Sequence, residues 1–232
     1  MSLVRYTAGE RDPHKLAALR DHRVKANEEH RARSREGNGQ EDLLFVLKQE
    51  QEGYEFCPKP MTECDRQIKQ HLQQGEDRSA GAPLPEETRK ARLKKNRGNV
   101  PPFDLRAELF RRCGTDLTRI DGIDLMTATT LLSEAGWDMS PGADEHHLVS
   151  WRRLGADNRI SGHKIMGQGR LRTNNRASIA LRMAASTLRL SNTYLGAQFR
   201  RLRARLGAPV AIQAMAAKLA RLVYRMLRYG MK

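Results

Sequence analysis

Between Trp151 and Lys232 the chain carries 18 Lys and Arg and a single acid, Asp157, a local balance of +17. Cations in that number have no carboxylates within the segment to pair with. They belong at the surface, and any core must be built from the apolar positions between them. Those positions recur at helical period. Ala177 to Arg189 sets Ala180, Leu181, Ala184 and Leu188 on one side. Ser191 to Leu206 opens on a serine cap, turns Leu195, Leu202 and Leu206 inward, shows Arg200, Arg201, Arg203 and Arg205 outward, and stops at Gly207. A last helix follows Pro209 and packs through Met215, Leu219, Leu222, Val223 and Met226 until Gly230. The expectation is a small helical bundle with a cationic outer face.

The other 150 residues hold 24 basic and 26 acidic residues, so the +15 of the whole 232-residue chain resides in its C-terminal third. A one-sided field of this kind attracts polyanions, and a nucleic-acid backbone is the partner that matches it; an anionic membrane surface is the alternative. An Arg-rich helix that is merely solvated usually intersperses acids, and none follows Asp157. With 5% aromatic and 30% charged residues, the core is modest and much of the chain is surface or extended helix.

The fold class is mainly α. Residues 1–39 read as the polar remnant of a larger N-terminal region. Within it Asp12 caps a short helix, Pro13 takes its first position, and Leu16, Ala17 and Leu19 form its apolar side. Residues 40–74 are helical and coiled-coil-like, with Leu43, Leu44, Val46 and Leu47 in one stripe and Ile68 and Leu72 in another. Pro58 and Pro60 split the segment into two helices near Cys57–Pro60. A narrow stripe is usually a pairing seam, so self-association is expected. Residues 75–102 are rich in Gly, Pro, Lys and Arg and read as a flexible basic linker that includes the patch RKARLKK. Residues 103–232 form the C-terminal domain. Its stretch LTRIDGIDLMTATTLLSEAGW places a tight turn at Asp121–Gly122 before a helix from Thr127 that carries Ala128, Leu131, Leu132 and Ala135. This is similar to a helix-hairpin-helix, whose turn amides and helix start hold phosphate; a plain helical turn inside a bundle remains the alternative.

Cys57, Cys64 and Cys113 show neither CxxC spacing nor histidines at metal-ligand intervals, and read as reduced thiols. No secretory leader and no run of about 18 apolar residues occurs, so the expected location is the cytoplasm, with no membrane anchor.

The candidate chemistry lies in Asp157 to Arg176, DNRISGHKIMGQGRLRTNNR. Ser161 stands beside Gly162 among Arg159, His163, Lys164, Arg170, Arg172 and Arg176, between turns softened by glycine. A hydroxyl so placed can meet a phosphodiester while the cations neutralise charge growing on phosphorus. Ser-Gly is also ordinary turn chemistry, and the cations can be a solvated loop.

The ordered series IDGIDLMTATTLLSEAG, Ser150-Trp151, DNRISGHK, NNRASIALRMAAS, YLGAQFRRLRARLGAP and KLARLVYRMLRYG resembles the C-terminal transposase domain of the IS-one-ten family of insertion-sequence transposases. The similarity covers residues 103–232, and GERDPHKLAALRD and EDLLFVLKQE look like the family's middle region. The resemblance implies a DNA transposase that recombines at specific sites under a structured guide RNA. A RuvC-like nuclease domain with a DEDD set of acids supplies the metal half of its site, and this domain supplies the serine. On this register the serine is Ser161, in Ser-Gly-x-Lys completed by Gly162 and Lys164. Its implied role is nucleophile, with Lys164, Arg172 and Arg176 as phosphate contacts or transition-state cations. The charge pattern itself adds Arg159, His163, Arg170, Arg200, Arg201, Arg203 and Arg205 as expected nucleic-acid contacts.

The chain departs from the family pattern in several places. No strand-like run with an embedded Asp occurs near the N-terminus. Trp151-Arg152-Arg153-Leu154-Gly155-Ala156 stands where the family reads Trp-Leu-Gly-Leu-Cys-Pro, Arg170 stands for a threonine, and two prolines interrupt the coiled coil. The expectation is a truncated copy with little activity alone. It binds no cofactor itself, Mg²⁺ being implied for the intact enzyme, and its partners are DNA, a structured guide RNA, and further copies or intact transposase subunits. A non-catalytic nucleic-acid-binding protein is the alternative.

Overall fold

Asp12 and Pro13 start a helix where the sequence puts them. The computed structural model describes residues 2–19, 21–37, 40–86, 100–140, 142, 144–151, 154, 157–162, 164–169 and 175–230, with the backbone alone at 2, 3, 151 and both strands. Helix α1 is Ser2–Thr7 and α2 is Pro13–Ala18, where the Asp12 carboxylate accepts the N–H groups of His14 at 2.9 Å and Lys15 at 3.4 Å. Leu16 and Ala17 are buried as expected. Sequence reading leaves residues 20–39 without an element, yet α3 forms at Glu28–Arg33. Asn27 Oδ1 accepts the His30 N–H at 2.8 Å, Glu28 and Glu29 sit at the positive helix end, and Ala32 is buried.

Helices α4, Glu41–Phe56, and α5, Pro58–Gln73, meet at Cys57. Cys57 itself is helical, its N–H reaches Gly53 O at 3.2 Å, and the Met61 N–H reaches Cys57 O at 3.1 Å. The two prolines therefore act by removing backbone donors, not by turning the chain. No residue of α4 is buried: Leu43 is 58% exposed, Phe45 65% and Val46 54%.

The chain divides into two compact units, Met1–Arg66 and Gln67–Lys232. The second holds the larger core. It contains α6 (Leu105–Cys113), α7 (Leu125–Ala135), α8 (Glu145–Trp151), β1 (Asp157–Ser161), β2 (Lys164–Gly169), α9 (Arg176–Thr187), α10 (Tyr194–Leu206) and α11 (Ala208–Tyr229). The protein is mainly α-helical, and one two-stranded antiparallel hairpin joins α8 to α9.

Helix α11 is the element the others lean on, packing against α8, α9 and α10, while α7 packs on α9. Its buried face is Ala211, Met215, Ala216, Leu219, Ala220, Val223 and Tyr224. Its alanines, Ala211, Ala216 and Ala220, let neighbouring helices approach closely, and each fully buried Leu contributes about 1.5–3 kcal/mol. The core also takes in Leu72, Leu105, Leu131, Leu132, Leu181, Leu188 and Phe199. Arg225 holds α8 with its guanidinium forked onto Glu145, at 2.7 Å on Oε1, and this keeps the Glu145 carboxyl below the usual carboxylate range.

Three details of α10 and α11 differ from expectation. The cap of α10 is Thr193, not Ser191, because Thr193 Oγ1 faces the Gly196 N–H at 3.4 Å; Ser191 Oγ pairs with Thr193 Oγ1 at 2.9 Å. Leu206, expected inward, is 42% exposed at the helix end, and the inner position belongs to Phe199, 2% exposed. Helix α11 begins at Ala208, one residue before Pro209.

Residues 75–85 read as linker by composition, yet α6 fastens them. Arg78 N–H donates to Arg111 O at 2.8 Å, Arg111 reaches Gly75 O at 2.9 Å, and Arg106 reaches Pro85 O at 2.7 Å. The guanidinium groups of α6 gather the incoming chain's carbonyls. The RKARLKK patch lies outside the described residues.

Cys57 and Cys64 are exposed and free; burial pushes the Cys113 thiol up to about 12, so it stays protonated and unreactive. Among the described residues no helix is long and apolar enough to cross a membrane.

Candidate nucleic-acid interface

Ser161 is the last residue of β1 and Lys164 the first of β2, and their Cα atoms are register partners. Gly162 begins the two-residue loop between them at φ +55°. A positive φ at that position is what the primed hairpin turns require, and glycine takes it without strain. The sequence reading places Ser161 between glycine-softened turns, assigns no strand, and so misses the two strands of this hairpin. Their signal was a Gly-x pair between short segments carrying Ile160 and Ile165. Register slips by one residue between Arg159 and Ile160, leaving Met166 as the extra residue of β2.

Arg159 lies in β1, while His163, Arg170 and Arg172 fall outside the described residues. Arg176 opens α9, exposed, with its Nε 3.8 Å from Glu134 Oε1. The start of α9 is held by Asn175, whose Oδ1 accepts the Ala177 N–H at 2.9 Å and the Ser178 N–H at 3.4 Å.

The four arginines of α10 separate into two roles. Arg200 folds back to donate to Ser191 O at 2.7 Å and to Arg189 O at 3.4 Å, closing the loop that precedes its own helix. That loop comes so near the helix that a Cβ on Gly196 would stand 2.1 Å from Ser191 O. Arg201, Arg203 and Arg205 are exposed and form no ion pair with a described residue. Positions 194, 198, 201 and 205 fall on one stripe of the helix, because three- and four-residue steps return to the same face. The stripe therefore carries Tyr194, Gln198, Arg201 and Arg205. From α11, Lys218 reaches into it with Nζ 2.5 Å from Gln198 Oε1 and 5.2 Å from the Tyr194 ring centroid. Sequence reading missed Tyr194 and Lys218, since their pairing joins two helices and leaves no local pattern.

The turn before α7 carries a different electrostatic message. Gly122, φ +90°, lies so close to α9 that a Cβ would meet Ala184 O at 2.9 Å, and Ile120 and Ile123 are buried beside it. Helix α7 starts at Leu125, two residues ahead of the expected Thr127, capped by Asp124, whose Oδ1 accepts the Thr127 N–H at 2.9 Å. A phosphate approaching this helix start meets a carboxylate already in place, so the turn's amides are a poorer anion site than those of an uncapped helix.

Among the described residues no three His, Cys, Asp or Glu side chains gather as a metal ion needs. No family model and no curated protein matches the chain.

Proposed function

We propose that the Gln67–Lys232 unit engages nucleic acid and supplies the serine of an insertion-sequence transposase, with strand transfer dependent on a subunit that brings the metal-binding acids. The observation that carries this reading is the exposed set Arg201, Arg203 and Arg205 on α10, which form no ion pair with a described residue and lie in a segment whose only acid is Asp157. Cations that no carboxylate neutralises repel one another, and a polyanion relieves that repulsion while releasing its own counterions. Ser161 ends β1 and Lys164 begins β2 with their Cα atoms paired in register, so the two residues this reading needs share one end of the hairpin.

In the reaction this reading implies, Ser161 Oγ attacks phosphorus and loses its proton. One P–O bond to a sugar oxygen breaks, and that oxygen leaves as a hydroxyl. The phosphoserine ester that results keeps the energy of the broken bond for rejoining to a second strand. Lys164 would neutralise charge on the non-bridging oxygens.

Incubation with end-labelled DNA, followed by denaturing electrophoresis, tests the reading. The expected result is a slow-migrating protein–DNA adduct, strengthened by a metal-bearing transposase subunit and lost in Ser161→Ala while binding persists. Undiminished binding with no adduct under any condition makes the protein a non-catalytic nucleic-acid binder. Robust strand transfer by this chain alone removes the claimed dependence on a second subunit.

A further inference from the structure

Tyr194 is a large aromatic side chain at the first position of α10, and it is 70% exposed. Leu190, in the short 3-10 turn just before it, is 80% exposed. Both are open to a partner at the start of α10. One neighbour of the Tyr194 ring is a cation, Lys218 Nζ, which Gln198 Oε1 holds in place by accepting its hydrogen bond. Along the same helix stripe follow Arg201, about 10 Å away, and Arg205, about 16 Å away, at 1.5 Å rise per residue. The stripe is thus one exposed ring with a fixed cation over one side of it, then two guanidinium groups that form no ion pair with a described residue.

We infer that Tyr194 is a stacking platform for an unpaired nucleobase of a single-stranded polynucleotide, whose neighbouring phosphates run along Lys218, Arg201 and Arg205. This rests on the reading that the C-terminal unit binds nucleic acid and specifies the form of the ligand. An aromatic ring gains from a nucleic acid only where a base exposes its face. In a duplex each base is already stacked between its neighbours, whereas an unpaired base brings a free face to the ring. The cations carry no base preference, and neither does stacking, so the platform takes single strands without sequence discrimination. Lys218 has a second effect: lying over the ring, it limits the positions Tyr194 occupies and so lowers the ordering cost of stacking.

The test uses the full chain with a 15-nucleotide oligothymidine carrying one central 2-aminopurine, the equivalent oligouridine, and a blunt duplex of equal length. The parent protein is expected to quench 2-aminopurine in the single strands. Tyr194→Ala, at an exposed position that leaves the fold intact, is expected to abolish the quench and weaken single-strand binding about tenfold, the usual effect of removing one stacked ring. Duplex affinity stays put, and Tyr194→Phe behaves as the parent because the hydroxyl takes no part. A loss in the DNA or the RNA arm alone supports the platform and identifies its strand. Unchanged single-strand affinity in Tyr194→Ala, or an equal loss on duplex, overturns the inference. If the parent binds neither single strand nor duplex at low salt, the underlying nucleic-acid reading fails as well; if it binds both and only Tyr194→Ala is silent, that reading stands without the platform.

Discussion

Replacing Arg201, Arg203 and Arg205 together by Gln is expected to lower affinity for duplex DNA by two to three orders of magnitude at about 0.1 M salt. The estimate follows from counterion release. Each phosphate neutralised contributes about 0.9 to the slope of log K against log salt, so three lost contacts flatten the slope by about 2.7. For a single strand the coefficient is about 0.7 and the change about 2.1. The variant should fold as the parent does. Gln keeps the helix propensity and much of the stem, and the loss of favourable cations from the last turn of α10 is offset by relief of repulsion between Arg201 and Arg205 at i, i+4. Arg200→Gln is the internal control. Its guanidinium already serves Ser191 O and Arg189 O, so its removal should lower the melting temperature and leave the salt slope nearly unchanged. Equal slopes in the parent and the triple variant would falsify the placement of phosphate along α10.

That contrast marks how far the sequence could be read. The positions of α9, α10 and α11, and the buried Met215, Leu219 and Val223, follow from a 3.6-residue period in a segment where polar and apolar residues alternate cleanly. Which arginine is free and which is spent on the fold does not follow, because Arg200 differs from Arg201 only in where its helix angle meets a loop placed by tertiary packing. The caps show the same limit at smaller scale. Asp12 was legible because Pro13 follows it, whereas Ser191 and Thr193 offer equal chemistry two residues apart, and the loop's close approach at Gly196 chooses Thr193. Helix α3 escaped notice since it buries only Ala32, leaving no stripe to count. The hairpin was masked by its own cations: Arg159 and Lys164 drew attention as phosphate ligands while the Gly-x turn between Ser161 and Lys164 was the structural signal. Residues 75–85 looked like linker because composition cannot register that α6 supplies arginines for their carbonyls.

The strongest of those hidden interactions is also the most consequential for stability. Arg106 and Asp116 form a buried ion pair, with side chains 10% and 2% exposed and Arg106 Nε 3.1 Å from Asp116 Oδ2. Asp116 Oδ1 also accepts the Thr118 N–H at 3.0 Å and the Thr118 hydroxyl at 2.6 Å, capping the short turn that leads to Gly122. Asp116→Ala is expected to cost about 3–5 kcal/mol in urea unfolding, since it strands the Arg106 guanidinium in the core with Pro85 O as its one remaining partner among the described residues. That is a large share of the roughly 5–15 kcal/mol by which domains are stable. Arg106→Met with Asp116→Leu should recover most of the loss, because two apolar side chains leave no unpaired charge behind; what remains is the missing cap at Thr118. The pair also predicts where the damage appears. Arg106 fastens Pro85 as well as Asp116, so once Asp116 is gone its guanidinium is drawn toward water and limited proteolysis should cut near Pro85 before it cuts α11. A loss below about 1 kcal/mol, the range of an ordinary surface substitution, would show that water already reaches Arg106 and that the pair is not buried in solution.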